Sequence, residues 1–192
     1  MKREMVGMES NKETVITPRT SVIFPHYDSA GKLCAKVLID GQFVSVDMSP
    51  TNMVDLSLRY FGSSLRGAFD GSKSILGEKI SMPPVVVNER LKLYWFPTKS
   101  PSSDDCIWLS LGHIYKYVKV DKGHTKVILT DGSSVTIPLS LHSFERRYQR
   151  AGMLKLIIEG RIRQHAYYEQ ANGVTYSISK DAKKRNFDVS ES

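Results

Sequence analysis

Cysteine is scarce in this sequence: its 192 residues hold two, Cys34 and Cys106, far apart and each without a close partner. That excludes a disulfide-built scaffold and suits a reducing compartment, so the expected location is cytoplasmic. The histidines, His26, His113, His124, His142 and His165, show none of the close pair spacings of zinc sites, and no metal is expected. Long hydrophobic runs are missing too. The N-terminus, MKREMVGMESNKETV, scatters charge where a signal peptide or membrane anchor needs apolar residues, so no membrane partner is expected. No serine sits in a G-x-S-x-G elbow, and neither a Cys-His nucleophile pair nor a matched carboxylate pair stands out. The expectation is a protein that is not an enzyme, with no catalytic residues and no cofactor.

What is present is an ordinary globular composition, 41% apolar and 24% charged, on a chain long enough for one core. The formal charge is +7 and the pI near 9.4, a balance that favours polyanionic partners. The surplus gathers late: residues 141–165 hold six basic residues, Arg146, Arg147, Arg150, Lys155, Arg161 and Arg163, against Glu145 and Glu159.

Residues 1–19 are polar and aperiodic and read as an arm leading into a first strand at 20–27. Two β-prone runs in 32–46 meet at Asp40-Gly41, a dipeptide that tolerates the positive φ of a tight hairpin turn. Ser49-Pro50 supplies a helix N-cap and a first-turn proline, Met53, Leu56 and Tyr60 fall at helical spacing, and Gly62 supplies a stop, predicting a helix over 50–61. Gly62, Gly67, Gly71 and Gly77 then interrupt any long helix and leave a short helix or a structured loop. From Val85 the runs VVV, LKLYWF, CIWLSL, HIYKYVKV, TKVILT and SVTIPL predict an antiparallel meander. Phe144, Tyr148, Ala151, Leu154, Ile158 and Ile162 define the apolar face of a C-terminal helix over 143–162.

Gly62-Ser63-Ser64-Leu65-Arg66-Gly67 has the glycine spacing of a P-loop, but Ala68 and Phe69 stand where Lys and Ser or Thr would hold phosphates and magnesium. The segment can instead offer a phosphate backbone its N–H groups, the hydroxyls of Ser63 and Ser64, and the charges of Arg59, Arg66 and Lys73; a glycine-rich connection with solvated charges is the competing reading. Arg146, Arg147 and Arg150 lie in the first turns of the last helix, against its dipole, which points to an external anion, with a solvated face as the alternative. The aromatic run Leu93-Tyr94-Trp95-Phe96 is read as core.

Three segments stand in the order and at nearly the spacing of a known pattern: Arg59-Tyr60-Phe61-Gly62-Ser63-Ser64 with Gly67 and Gly71-Ser72; Phe96-Pro97-Thr98 followed by Cys106-Ile107-Trp108-Leu109-Ser110 and His113; and Ser143-Phe144-Glu145 with Arg150-Ala151. Over roughly 20–160 the chain thereby resembles the competence transcription factor family, of the ComK type. It departs from that pattern at Ala68, where a basic residue is usual, and at 80–85, which is one residue shorter and lacks a His-Lys pair. The resemblance implies a transcriptional activator that binds paired A/T-rich boxes of double-stranded DNA, mainly through the minor groove, as a homo-oligomer. It also implies RNA polymerase as a partner and turnover through an adaptor for a Clp-type protease. The narrow, strongly negative minor groove of A-tracts attracts arginine, so shape alone can select such sites.

The expected fold is α+β: a single domain, mainly antiparallel β, with one inserted helix and a C-terminal helix. Its expected limits are a flexible arm at 1–19, a β-rich DNA-binding domain at 20–165 and a mobile polar tail at 166–192. Arg59, Ser63, Ser64, Arg66 and Lys73 are expected at phosphate or minor groove, with Arg146, Arg147 and Arg150 extending the basic surface. The alternative is a diverged protein-interaction module that binds a protease adaptor or a paralogous activator without reading DNA; an RNA-binding protein is a third class.

Overall fold

A computed structural model describes residues 15–168, 176–180 and 187–191. The chain forms two compact units, Met1–Glu159 and Gly160–Ser192. Residues 1–14 of the expected arm, and 169–175, 181–186 and 192 of the expected tail, lie outside the described residues.

In the first unit, β1 (Thr20–Tyr27), β2 (Leu33–Ile39) and β3 (Gln42–Val46) run antiparallel. The β2–β3 turn places Asp40 at φ 47° and Gly41 at φ 76°, the pair of positive values that a two-residue hairpin requires. Helix α1 (Pro50–Tyr60) follows, with the Ser49 side chain accepting from the Asn52 N–H as N-cap. Helix α2 (Leu65–Leu76) comes next, then β4 (Val85–Asn88), β5 (Leu93–Pro97) and β6 (Trp108–Ser110). A 3₁₀ turn at Leu111–His113 leads into β7 (Ile114–Lys119), β8 (Thr125–Leu129) and β9 (Ser134–Ile137), and helix α3 (Leu141–Tyr168) begins after them.

The class is α+β, as expected, and two details differ. Residues 65–76 form one continuous helix although Gly67 and Gly71 lie inside it. Tertiary anchoring outweighs the propensity cost of about 1 kcal/mol per glycine: Leu65, Ala68 and Phe69 pack on the core, and the buried Ser72 hydroxyl donates to the Pro84 carbonyl at 2.6 Å. The meander is also divided. β4, β5 and β6 join β1 in a six-stranded sheet of order β3-β2-β1-β6-β5-β4, whereas β7-β8-β9 form a separate sheet. The break falls at the 3₁₀ turn, where a His113 ring nitrogen lies 2.8 Å from the Pro18 carbonyl oxygen.

The six-stranded sheet buries both faces, because alternate residues point to opposite sides. Ile23, Ala35, Val37, Trp95 and Trp108 pack with Met53, Val54 and Leu58 of α1. Their neighbours Val22, Leu38, Phe96 and Leu109 pack with Ile114, Val127, Leu129 and Ile137 of the smaller sheet and with Phe144 and Ala151 of α3. The run Leu93-Tyr94-Trp95-Phe96 is fully buried and belongs to this core.

In the second unit, within the stretch read from sequence as a polar tail, β10 (Tyr176–Lys180) and β11 (Phe187–Glu191) pair antiparallel, with Ile178 opposite Val189.

Candidate nucleic-acid interface

Arg59, Ser63, Ser64 and Arg66 gather where α1 ends and α2 begins. The chain leaves α1 through Gly62 at φ 85°, with the Gly62 N–H donating to the Arg59 carbonyl at 3.0 Å and the Ser63 N–H to the Leu58 carbonyl at 2.8 Å. This is a left-handed helix stop, a conformation in which glycine costs least. Ser64 is the N-cap of α2, its hydroxyl accepting from the Gly67 N–H at 3.2 Å. A Cβ at Gly67 would lie 3.3 Å from that hydroxyl, so the cap and the glycine fit each other closely.

Asp55 joins the two helices. One carboxylate oxygen accepts from the Leu65 N–H at 2.7 Å and the other from Arg59 Nε at 2.7 Å. The Leu65 N–H and, after it, the Arg59 guanidinium hold this carboxyl below its ordinary pKa. Arg59 is therefore partly engaged within the chain. Arg66 is almost wholly exposed at 94%, with Asp70 a loose 4.0 Å away. Lys73 lies two turns beyond Arg66 on α2, on the same side because seven residues make nearly two whole turns. Ser63 is exposed.

The second cluster depends on how α3 is pinned. Phe144 stacks on Tyr148 at 6.1 Å and meets Phe96 of β5 at 5.9 Å and Tyr117 of β7 at 4.9 Å, so both sheets grip the first turns of the helix. Arg146 is exposed, whereas Arg147 and Arg150 are half-buried. Arg150 Nη1 donates to the Ser81 carbonyl at 3.3 Å, and Arg147 Nη2 lies 3.2 Å from Met82 Sδ. Arg147 Nε and Nη1 are buried without a hydrogen-bond partner among the described residues. Among the described residues none of the three arginines forms an ion pair. Burial holds Arg147 below its ordinary pKa, a shift that Cys106 opposes and that Arg150 and Arg146 reinforce. The Cys106 thiol is itself pushed up to about 11 by burial, so at neutral pH it is uncharged and supplies no counter-ion.

Two concavities open here. A cleft of about 490 Å³ runs between Ile75 and Leu76 of α2, Ile80 of the following linker, and Arg146, Gln149, Arg150, Met153 and Ile157 of α3. A smaller one of about 70 Å³ is lined by Ser81, Met82, Ser143, Arg146, Arg147 and Arg150. The α3 arginines thus meet the C-terminal end of α2, whereas Ser64 and Arg66 mark its N-terminal end. A twelve-residue helix is roughly 18 Å long, which sets the spacing between the two groups. Sequence reasoning missed Asp55, Ser143 and the linker residues Ser81 and Met82. The Asp55–Arg59 spacing is a visible i, i+4 pair, but the capping of Leu65 and the approach of the linker are tertiary.

Among the described residues no cluster of His, Cys, Asp or Glu is arranged to hold a metal ion, and no helix is long and apolar enough to cross a membrane.

Fold and charge define a basic α+β protein with clusters of arginine near the starts of α2 and α3. The ComK protein family profile matches residues 11–163. The competence transcription factor of Bacillus subtilis (strain 168) is 32% identical over 133 residues, covering 69% of this chain and 68% of that protein. No solved structure matches the chain significantly. The chain belongs to the ComK family, a family of transcription factors and not of enzymes.

Proposed function

We propose that this protein activates transcription by binding A/T-rich boxes of duplex DNA, largely through the minor groove and the phosphate backbone, as more than one protomer. The observation that carries this reading is a set of cations with no ion pair among the described residues, Arg146, Arg147 and Arg150 in the first turns of α3, together with the exposed Arg66 at the N-terminus of α2, which Asp70 approaches only at 4.0 Å. Helix N-termini and guanidinium groups are the usual partners of backbone phosphates, and arginine is drawn to the narrow groove of A-tracts. Arg59, Ser63, Ser64, Arg66 and Lys73 contact the duplex in this account, and the α3 arginines extend the contact. RNA polymerase and a Clp-type protease adaptor remain the protein partners that go with such an activator, working in the cytoplasm.

Gel-shift titration of an A/T-box duplex against a G/C-rich duplex tests the reading, with Arg66→Ala as the variant. Tighter binding of the A/T duplex is expected, with the variant weaker on both duplexes and its salt slope lower by about one phosphate, roughly 0.9 in the log–log plot. Equal and feeble binding of both duplexes favours the second reading, a module that docks an adaptor or a paralogous activator. One feature speaks for that alternative: Ile75, Leu76, Ile80, Met153 and Ile157 line the cleft between α2 and α3, and Met153 is more than half exposed.

A further inference from the structure

The cation cluster on α3 is more specific than a basic face. Burial disfavours the charge on Arg147, and the like charges of Arg150 and Arg146, within about one turn of it on α3, add repulsion. Its Nε and Nη1 are cut off from solvent with no acceptor among the described residues, while its third nitrogen meets only a thioether, a weak acceptor. A half-buried guanidinium with two nitrogens unpaired among the described residues is costly, so the arrangement is electrostatically incomplete. The groups that face Arg147 do not complete it: Cys106 is a neutral thiol, Met82 carries no charge, and Arg146 and Arg150 add like charge.

The concavity beneath these groups has the right size and chemistry for one small anion. At about 70 Å³ it has room for a small ion or a few waters. Ser143, Arg146, Arg147 and Arg150 line it from α3, and Ser81 and Met82 line it from the linker after α2. Ser143 lies in the first turn of α3, where the helix dipole favours negative charge. Ser143 Oγ already accepts from Ser140 Oγ at 3.1 Å, which leaves its own hydroxyl proton to donate. Three guanidinium groups and a hydroxyl belong to its lining, and no carboxylate lines the pocket to repel an anion.

We propose that Ser143, Arg146, Arg147 and Arg150 form a pocket for one tetrahedral oxyanion of the phosphate class. A phosphate held there fixes position and reads no base edge. The phosphate comes either from the DNA backbone or from free solution, and the two sources separate experimentally. The pocket stands whether or not the duplex reading does, because its first test contains no DNA.

Thermal unfolding of the full chain is followed in inorganic phosphate against chloride at fixed pH and ionic strength. A saturable rise in Tm of roughly 2–4 °C is expected for phosphate and none for chloride. Arg147→Met removes the buried charge and its repulsions, so it is expected to raise Tm without phosphate and to abolish the phosphate response. Ser143→Ala, which changes no packed apolar group, is expected to weaken the phosphate midpoint several-fold and serves if the first variant folds poorly. The second arm adds an A/T-box duplex: competition between phosphate and duplex beyond the ionic-strength effect assigns the pocket to a backbone phosphate, and simultaneous binding assigns it to a free anion. A phosphate response no different from that of chloride, or one retained unchanged in both variants, overturns the proposal.

Discussion

Replacing Asp55 by alanine removes a carboxylate that links α1 to the first turn of α2. Two hydrogen bonds at 2.7 Å are lost, one to the Leu65 N–H and one to Arg59 Nε. A hydrogen bond to a charged group contributes about 1.5–3 kcal/mol, and because Asp55 keeps 27% of its side-chain exposure the low end applies. The i, i+4 pair with Arg59, 66% exposed, adds only about 0.3–0.5 kcal/mol. Asp55→Ala is therefore expected to cost about 2 kcal/mol, Asp55→Asn about 1 kcal/mol because an acceptor remains, and Arg59→Ala about 0.5 kcal/mol. Urea unfolding followed by circular dichroism measures all three, the alanine variant losing roughly 1 M in midpoint. The pH dependence carries a sign. The folded pKa of Asp55 is depressed, so its stabilisation is present above the unfolded value near 4 and is lost as pH falls through the lower folded value. The gap between the native protein and Asp55→Asn should thus close on the acid side of pH 4. If Asp55→Ala costs no more than Arg59→Ala, the Leu65 cap contributes nothing and the account of how this turn is held is wrong.

Phe144 is fully buried among Phe96, Tyr117 and Tyr148. Phe144→Ala should cost about 3–5 kcal/mol by denaturant unfolding and loosen the start of α3; a loss under about 1 kcal/mol contradicts the packing described. Cys106 is 1% exposed and its thiol pKa is pushed up to about 11, so iodoacetamide at pH 8 should label it only as fast as the protein opens. Labelling at the rate of an unfolded cysteine contradicts that burial.

Elements whose signals are local were legible in the sequence. Asp40-Gly41 required the positive φ values that the hairpin shows, and Ser49-Pro50 set the start of α1. The apolar spacing from Phe144 onward placed α3, whose limits run a few residues further at both ends. The continuity of α2 was hidden, because the forces that override Gly67 and Gly71 come from Asp55, ten residues before Leu65, and from Pro84, twelve after Ser72. The division of the meander was hidden for a similar reason: β6 pairs with β1, and strand order across such a distance leaves no periodic trace. At the site, residue types and helix position were readable, but their surroundings were not. Helical spacing brings Arg146 and Arg150 to one face and Arg147 nearly so, but the approach of Ser81 and Met82 to Arg150 and Arg147 is tertiary and leaves no trace in that spacing. The β10–β11 pair escaped notice because a five-residue alternation in a charged context is a weak signal.

Competition by a minor-groove ligand for the complex with an A/T-box duplex, titrated at several salt concentrations, tests the central claim most directly. Displacement of the protein by the ligand is expected, with an affinity that falls steeply as salt rises because several phosphates are neutralised at once. A complex that survives the ligand, or one that forms as tightly on G/C-rich DNA with no salt dependence, contradicts the account.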